Sequence, residues 1–109
     1  MVKQGDIIKL QFNPQSGHEQ ARYRPAVVIS NNFFNKITNM SLVCPISSRN
    51  SVFPLHLHLD ERTKTSGVVM CEHVKSVDLK SRGYKFIEKM PQDLLSEIIN
   101  IVFSEIEPN

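Results

Sequence analysis

The 109-residue sequence has no long apolar run and no apolar stretch at its N-terminus. Its longest apolar runs, such as residues 26–29, are far shorter than the ~20 residues that a membrane-spanning helix needs. The N-terminal residues also lack the apolar core of a secretory signal. We therefore expect a soluble, cytoplasmic protein with no membrane partner.

Cysteine is scarce, with only Cys44 and Cys71 in the chain. In a sequence without a secretory signal, a single pair is typical of reduced, buried thiols, so we expect no disulfide. Metal-binding motifs such as CxxC or HxxxH are also lacking. His56 and His58 have a spacing able to chelate zinc. Strand alternation already explains them as a polar outer face, so we expect no metal and no other cofactor.

The chain has little net charge, +2 from 13 Lys and Arg against 11 Asp and Glu. This sum does not indicate a nucleic-acid partner, because phosphate recognition depends on a basic patch and not on a basic total. Hydrophobic residues at 40% and charged residues at 22% are close to globular averages. Length and composition together predict a single domain over residues 1–109.

Alternation of apolar and polar residues predicts a mostly β protein. The predicted strands cover residues 6–13, 25–30, 41–46 and 53–59, and a bent strand runs from residue 68 to residue 79. A short helix over residues 32–36 is predicted after a cap at Ser30 or Asn31. The last segment has helical spacing from Leu94 to Ile106, with Pro91 near its start. This order favours a small, mostly antiparallel SH3-like β barrel closed by a C-terminal helix.

A polar segment, residues 14–24, lies between the first two predicted strands and ends in Arg24, directly before Pro25. This placement fixes a guanidinium at the edge of a strand, which suits recognition of a phosphate by charge-assisted hydrogen bonds. A solvated loop in which an arginine pairs with Glu19 is an equal alternative from the pattern alone.

Two motifs carry a resemblance to a known family. PxxGHEQ at residues 14–20, followed by RPAVVIS at residues 24–30, resembles the signature of the MazF/PemK family of mRNA interferases, which includes the Kid toxin. Further matches in family order are VxPIS at 43–47, TxGVVxCE at 65–72, KSVD at 75–78 and RG at 82–83. The resemblance implies a CcdB/MazF-like barrel, a homodimer, metal-independent cleavage of single-stranded RNA, and an antitoxin partner with an acidic, disordered segment.

The resemblance also implies site residues. Arg24 matches the family's essential arginine, and Ser47 falls where many members have a catalytic threonine. His18 matches a histidine that some members use to stabilise the transition state. Kid-like members have Arg-x-Asp where this chain has Met70-x-Glu72. That version of the mechanism therefore does not transfer whole.

Metal-independent cleavage of RNA constrains the roles of these residues. The 2′-hydroxyl attacks its neighbouring phosphorus, which requires a base, an acid and a cation, and leaves a 2′,3′-cyclic phosphate and a 5′-hydroxyl. We expect Arg24 to be the cation, because a guanidinium with a pKa above ~12 is a poor proton shuttle. Ser47 is expected to hydrogen-bond the phosphate, and His18 or Glu72 to transfer protons.

Binding of single-stranded RNA requires positive charge and aromatic surfaces for stacking. The residues expected to bind substrate are Glu19, Gln20, Arg22, Tyr23, Arg49, Phe53 and Lys75. Two alternatives remain open: a non-catalytic toxin of the same fold that poisons DNA gyrase, and a simple SH3-like binding module. Arg24 and Ser47 favour the enzyme, because neither alternative needs this polar pair.

Overall fold

The computed structural model describes residues 1–11, 23–49 and 52–109. In chain order, the described elements are β1 (Asp6–Gln11), β2 (Tyr23–Val28), α1 (Asn32–Thr38), β3 (Ser41–Ser47), β4 (His56–His58), β5 (Val68–Met70), a 3-10 turn (Cys71–His73), β6 (Lys75–Val77), α2 (Leu79–Arg82), β7 (Tyr84–Lys89) and α3 (Gln92–Ile106). None of the described helices has the length and apolarity needed to cross a bilayer.

The seven strands form one antiparallel sheet in the order β4-β5-β3-β2-β1-β7, and β6 also pairs with β3. Since β2 occupies one edge of β3, β5 and β6 share its other edge. Residues 41–43 of β3 pair with β6, and residues 46–47 pair with β5. This arrangement and the C-terminal helix confirm the predicted fold class.

The core lies on both faces of the sheet. On one face, Ile7, Val27 and Cys44 pack with Leu95 and Ile98 of α3. The opposite face carries a second cluster, formed by residues such as Ile8, Leu10, Ala26, Val28 and Val43. Residues 26–28 of β2 are fully buried, which confirms the prediction of a strand covered on both faces. Each such aliphatic side chain contributes about 1.5–3 kcal/mol of transfer free energy.

Local capping explains the first helix. The Asn31 side chain accepts a hydrogen bond from the Phe34 N–H at 2.8 Å, as expected of an N-cap. The helix ends at Asn39, whose φ of 58° is left-handed. The structure thus confirms the predicted helix and its cap and extends it by two residues.

Three strand predictions need correction. The strand predicted over 53–59 is only His56–His58, because Pro54 lies in a turn that the His56 N–H closes onto the Phe53 carbonyl. The bent strand predicted over 68–79 is interrupted by the 3-10 turn, which separates β5 from β6. Strand β2 begins at Tyr23, so Arg24 lies within the strand and pairs with Leu10.

Strand β7 was not predicted from the sequence. It lies at the edge of the sheet and buries little of its surface, so its residues, YKFIEK, lack clear alternation. An edge strand pairs on one side only, and hydrophobic pattern specifies it weakly.

Both cysteines are free and buried. A hydrogen bond with Cys71, together with burial, raises the pKa of the Cys44 thiol far above its ordinary value. The Cys44 thiol is therefore held in the protonated, unreactive form.

Candidate functional site

Part of the predicted site cannot be placed. His18, Glu19, Gln20 and Arg22 lie outside the described residues. The remaining predicted residues lie in the part of the chain that the structure describes.

Arg24 and Ser47 lie at the same end of the β2–β3 pair. The ladder ends with Ala26 joined to Pro45, and Arg24 and Ser47 each stand two residues beyond that pair, on the same side of the sheet by strand alternation. Arg24 is exposed, and no described residue forms an ion pair with it. The guanidinium is thus available to an anion at the end of the sheet where Ser47 lies.

The Ser47 hydroxyl is positioned by its own loop. Its Oγ accepts a hydrogen bond from the Arg49 N–H at 3.2 Å. Because this bond uses a lone pair of the oxygen, the hydroxyl hydrogen remains for donation to a ligand. Gly67 packs against the main chain here, since a Cβ at that position would overlap the Ser47 carbonyl oxygen.

Glu72 forms a pair with His56, whose Nε2 lies 2.8 Å from Glu72 Oε2. The two side chains are only 9% and 24% exposed, for His56 and Glu72 respectively. Burial opposes ionisation of Glu72, but hydrogen bonds from His56 and the backbone outweigh it and lower the pKa of the carboxyl. Glu72 is therefore a fixed anion at neutral pH, and a weak base.

A second carboxyl, that of Glu105 on α3, lies within electrostatic range of Glu72. Burial and the Glu72 charge raise the pKa of Glu105. Glu72 Oε1 and Glu105 Oε2 are both buried and have no hydrogen-bond partner among the described residues. In the same part of the chain, no group of three or more His, Cys, Asp or Glu is arranged to hold a metal ion.

The predicted residues fall into two groups along the sheet. Tyr23 and Arg49 flank Arg24 and Ser47 at one end. The β3–β5 register puts Cys71 level with Cys44, three residues or about 10 Å from Ser47, so Glu72 lies farther along. Lys75 pairs with Val43, about 13 Å from Ser47 by the same rise. Glu72 and Lys75 therefore lie apart from the Arg24–Ser47 pair.

The predicted stacking residues differ in their surroundings. Tyr23 is 53% exposed at the start of β2, and Phe53 is 46% exposed. The Phe53 ring packs at a tilt against His56, with 4.9 Å between ring centroids. Tyr23 is thus the more accessible surface for a base.

The sequence interpretation missed His56 and Gly67. The outer-face prediction is wrong for His56, whose side chain is mostly buried against Glu72, 16 residues away. No local pattern contains that pairing. Gly67 did carry a signal, because a glycine beside a strand often marks a close backbone approach.

Comparisons with known proteins show the family to which the chain belongs. A family described as "PemK-like, MazF-like toxin of type II toxin-antitoxin system" matches residues 3–103. Endoribonuclease PemK of Escherichia coli is 30% identical over 103 residues, covering 90% of this chain and 77% of that protein. Endoribonuclease toxin MazF of Escherichia coli strain K12 is 37% identical over 79 residues, covering 72% and 70%. The MazE-MazF crystal structure (Form-III) from Deinococcus radiodurans superposes with a TM-score of 0.86 at 31% identity, covering 96% of this chain and 95% of that one. This chain therefore belongs to the PemK-like, MazF-like toxin family of type II toxin–antitoxin systems.

Proposed function

We propose that this chain is the toxin of a type II toxin–antitoxin pair and acts as a sequence-specific endoribonuclease on single-stranded RNA. Cleavage of mRNA would inhibit translation and growth. The observation that carries this proposal is the exposed Arg24 at the same end of the β2–β3 pair as Ser47, in a chain whose relatives are named endoribonucleases. Those names favour the enzyme over a gyrase poison or a simple binding module.

The pair supports a reaction that needs no metal. The 2′-hydroxyl attacks the adjacent phosphorus, the bond from phosphorus to the 5′-oxygen breaks, and the products are a 2′,3′-cyclic phosphate and a 5′-hydroxyl. Arg24 stabilises the charge on the equatorial oxygens. Ser47 donates its hydroxyl hydrogen to one of these oxygens, since the Arg49 N–H already holds Oγ.

His18 and Glu72 are the two candidates for proton transfer. Glu72 is ionised, hydrogen-bonded to His56 and lies about 10 Å or more along the sheet from Ser47, so we assign the transfer at Arg24 and Ser47 to His18. Histidine is the side chain whose ordinary pKa lies closest to neutral pH. A cleavage rate that does not change from pH 5 to pH 9 would count against His18.

The partners follow from the same assignment. We assign a homodimer and an antitoxin whose acidic, otherwise disordered segment lies over Arg22 and Arg49 and so blocks access to Arg24. The similar structure from Deinococcus radiodurans is one of MazE-MazF, which supports a bound antitoxin. We place this reaction in the cytoplasm, where mRNA is translated.

The test is incubation of the purified chain with a long RNA in EDTA, with Arg24→Ala beside it. Defined cuts that Arg24→Ala abolishes and that the control Lys36→Ala retains support the proposal. Lys36 is exposed on α1, which follows the opposite end of β2 from Arg24. RNA left intact by the wild-type protein excludes the ribonuclease.

A further inference from the structure

A pocket of about 360 Å³ opens at the start of β2, beside Tyr23 and Pro25. Its lining residues are Lys9, Tyr23, Pro25, Lys64, Thr65, Ser66 and Ile87. Consecutive residues of a strand point to opposite faces. Tyr23 and Pro25 therefore lie on the face of the sheet opposite to that of Arg24. Residues 64–66 form the roof of the pocket, the wall that faces β1 and β2.

The pocket adjoins the Arg24–Ser47 pair at two points of the chain. Tyr23 directly precedes Arg24 on β2. On the roof, Ser66 directly precedes Gly67, the residue that packs against the Ser47 carbonyl. Tyr23 and Ser66 thus link the pocket along the chain to Arg24 and to the segment that packs against Ser47.

Positive charge concentrates at the pocket. Lys9 pairs with Lys85 across β1 and β7, and like charges directly opposite each other destabilise a sheet. Within residues 1–11, 23–49 and 52–109, neither lysine forms an ion pair. Lys64 adds a third ammonium from the roof. The fold therefore keeps a repulsive pair beside a third cation, and an anion bound there would relieve the repulsion.

The roof is held in place before any ligand binds. Glu88 on β7 accepts hydrogen bonds from the N–H groups of Lys64 at 3.0 Å and Thr65 at 2.8 Å, and from the Thr65 hydroxyl at 2.8 Å. Burial opposes ionisation of Glu88, but these bonds outweigh it and lower the pKa of the carboxyl. The Glu88 charge offsets one of the two lysines that line the pocket, Lys9 and Lys64, and Lys85 adds a further positive charge opposite Lys9, so positive charge remains in excess.

An aromatic ring completes the pocket. Tyr23 is 53% exposed and lines the same pocket as Pro25, Lys9 and Lys64. Ammonium groups match a phosphate, and an exposed aromatic face matches a base, which stacks on such rings in single-stranded RNA complexes. An acidic peptide would use the lysines but gain little from the ring.

We infer that this pocket binds a nucleotide of the RNA chain flanking the cut, with its phosphate between Lys9 and Lys64 and its base on Tyr23. This inference rests on the proposed ribonuclease function. It assigns to Lys9 and Lys64 a role in affinity for long substrates, separate from the cleavage step at Arg24 and Ser47.

The experiment measures RNA binding against salt concentration. The cut sequence is first read from the ends of the wild-type cleavage products. Two fluorescent RNAs carrying this sequence and a 2′-deoxynucleotide at the cut then serve as uncleavable probes, one minimal and one extended on both sides. Three variants are compared with the wild type. One carries both Lys9→Gln and Lys64→Gln, the second carries Tyr23→Leu, and the third carries Lys36→Gln on α1 as the charge-matched control.

For the extended probe, we expect the double lysine variant to reduce the slope of log K against log salt by about 1.4, that is about 0.7 for each lost phosphate contact. Tyr23→Leu should weaken binding of this probe about 5- to 150-fold, the range for loss of one stacked base. Binding of the minimal probe by the double lysine variant, and all binding by Lys36→Gln, should stay unchanged. The melting temperature of the lysine variant should not fall, since Lys9→Gln removes a like-charge pair.

Two results would overturn the inference but leave the proposed function standing. One is unchanged binding of the extended probe by the variants, and the other is an equal weakening of the binding of both probes. Loss of affinity for poly-glutamate with RNA binding unchanged would also overturn it, and would assign the pocket to an acidic peptide. A wild-type protein that cuts no RNA would instead remove the proposed function, and the inference with it.

Discussion

Gly67→Ala is a sharp probe of the contact that positions Ser47. Gly67 has a φ of +120°, a region that residues with a side chain rarely adopt. A Cβ there would also overlap the carbonyl group of Ser47 and approach the Cα of Ser48. Both partners belong to the main chain, so the overlap is relieved only by moving the end of β3.

Gly83→Ala supplies the matched control. Gly83 has a φ of +81°, and a Cβ there would meet nothing within 4 Å. This variant therefore carries backbone strain of about 1–3 kcal/mol, reduced by about 0.4–1 kcal/mol through loss of unfolded-state entropy. Gly67→Ala carries the same strain and a further ~1–3 kcal/mol for the overlap. We expect it to lower the free energy of unfolding by at least about 1 kcal/mol more than Gly83→Ala does.

Urea denaturation followed by circular dichroism measures both variants. The extra loss of about 1 kcal/mol in the free energy of unfolding corresponds to a melting temperature lower by at least ~4 °C for a domain of this size. Under conditions where both are folded, Gly67→Ala should also lose RNA cleavage by about 100-fold, the typical effect of a ~1 Å misplacement in a site. Equal stability and equal cleavage for the two variants would refute the reasoning that Gly67 positions Ser47.

Three further predictions concern the carboxyl pair and a helix cap. Glu105→Gln should raise the free energy of unfolding at pH 7 by on the order of 0.5 kcal/mol, as removal of other like-charge pairs does. The raised pKa of Glu105 costs stability as pH rises through it, so the gain should vanish at pH 3 in urea titrations. Glu72 has a lowered pKa, so its pair with His56 stabilises the fold above pH 4.5 and is lost as pH falls through the folded value. Glu72→Gln should therefore flatten the acid limb of stability against pH, and an unchanged limb would rule out this pair as its source. Asn31→Ala should cost about 0.5–2 kcal/mol by loss of the cap to the Phe34 N–H, and no change in thermal unfolding would argue against the cap.

The sequence predicts those parts of the fold whose pattern is local. Alternation identifies β1, and buried β-branched residues identify β2 and β3. The apolar stripe of α3 has the helical period. Strand β7 was missed because its exposed edge position leaves no alternation to detect. The interruption at Cys71–His73 was missed because residues 68–71 form a single apolar run, and the separate partners of β5 and β6 appear only in the assembled sheet.

The candidate site also has a part that local sequence predicts and a part that it does not. The position of Arg24 before Pro25 predicts a guanidinium at the start of a strand, whereas β2 begins one residue earlier and holds Arg24 within it, paired with Leu10. The pairing of Glu72 with His56 was not predictable, because it joins two segments that only the sheet brings together. The cluster of Lys9, Lys64 and Lys85 likewise depends on the β1–β7 register and on the loop that Glu88 holds.

A double-mutant cycle on RNA cleavage tests most directly whether Arg24 and Ser47 act on one phosphate. Cleavage rates would be measured in EDTA for the wild type, Arg24→Ala, Ser47→Ala and the double variant, each checked for folding by circular dichroism. Residues that act as a unit give strongly non-additive losses. We predict that the double variant loses far less than the product of the two single losses. Losses that multiply would show that the two residues act independently and would contradict a shared site.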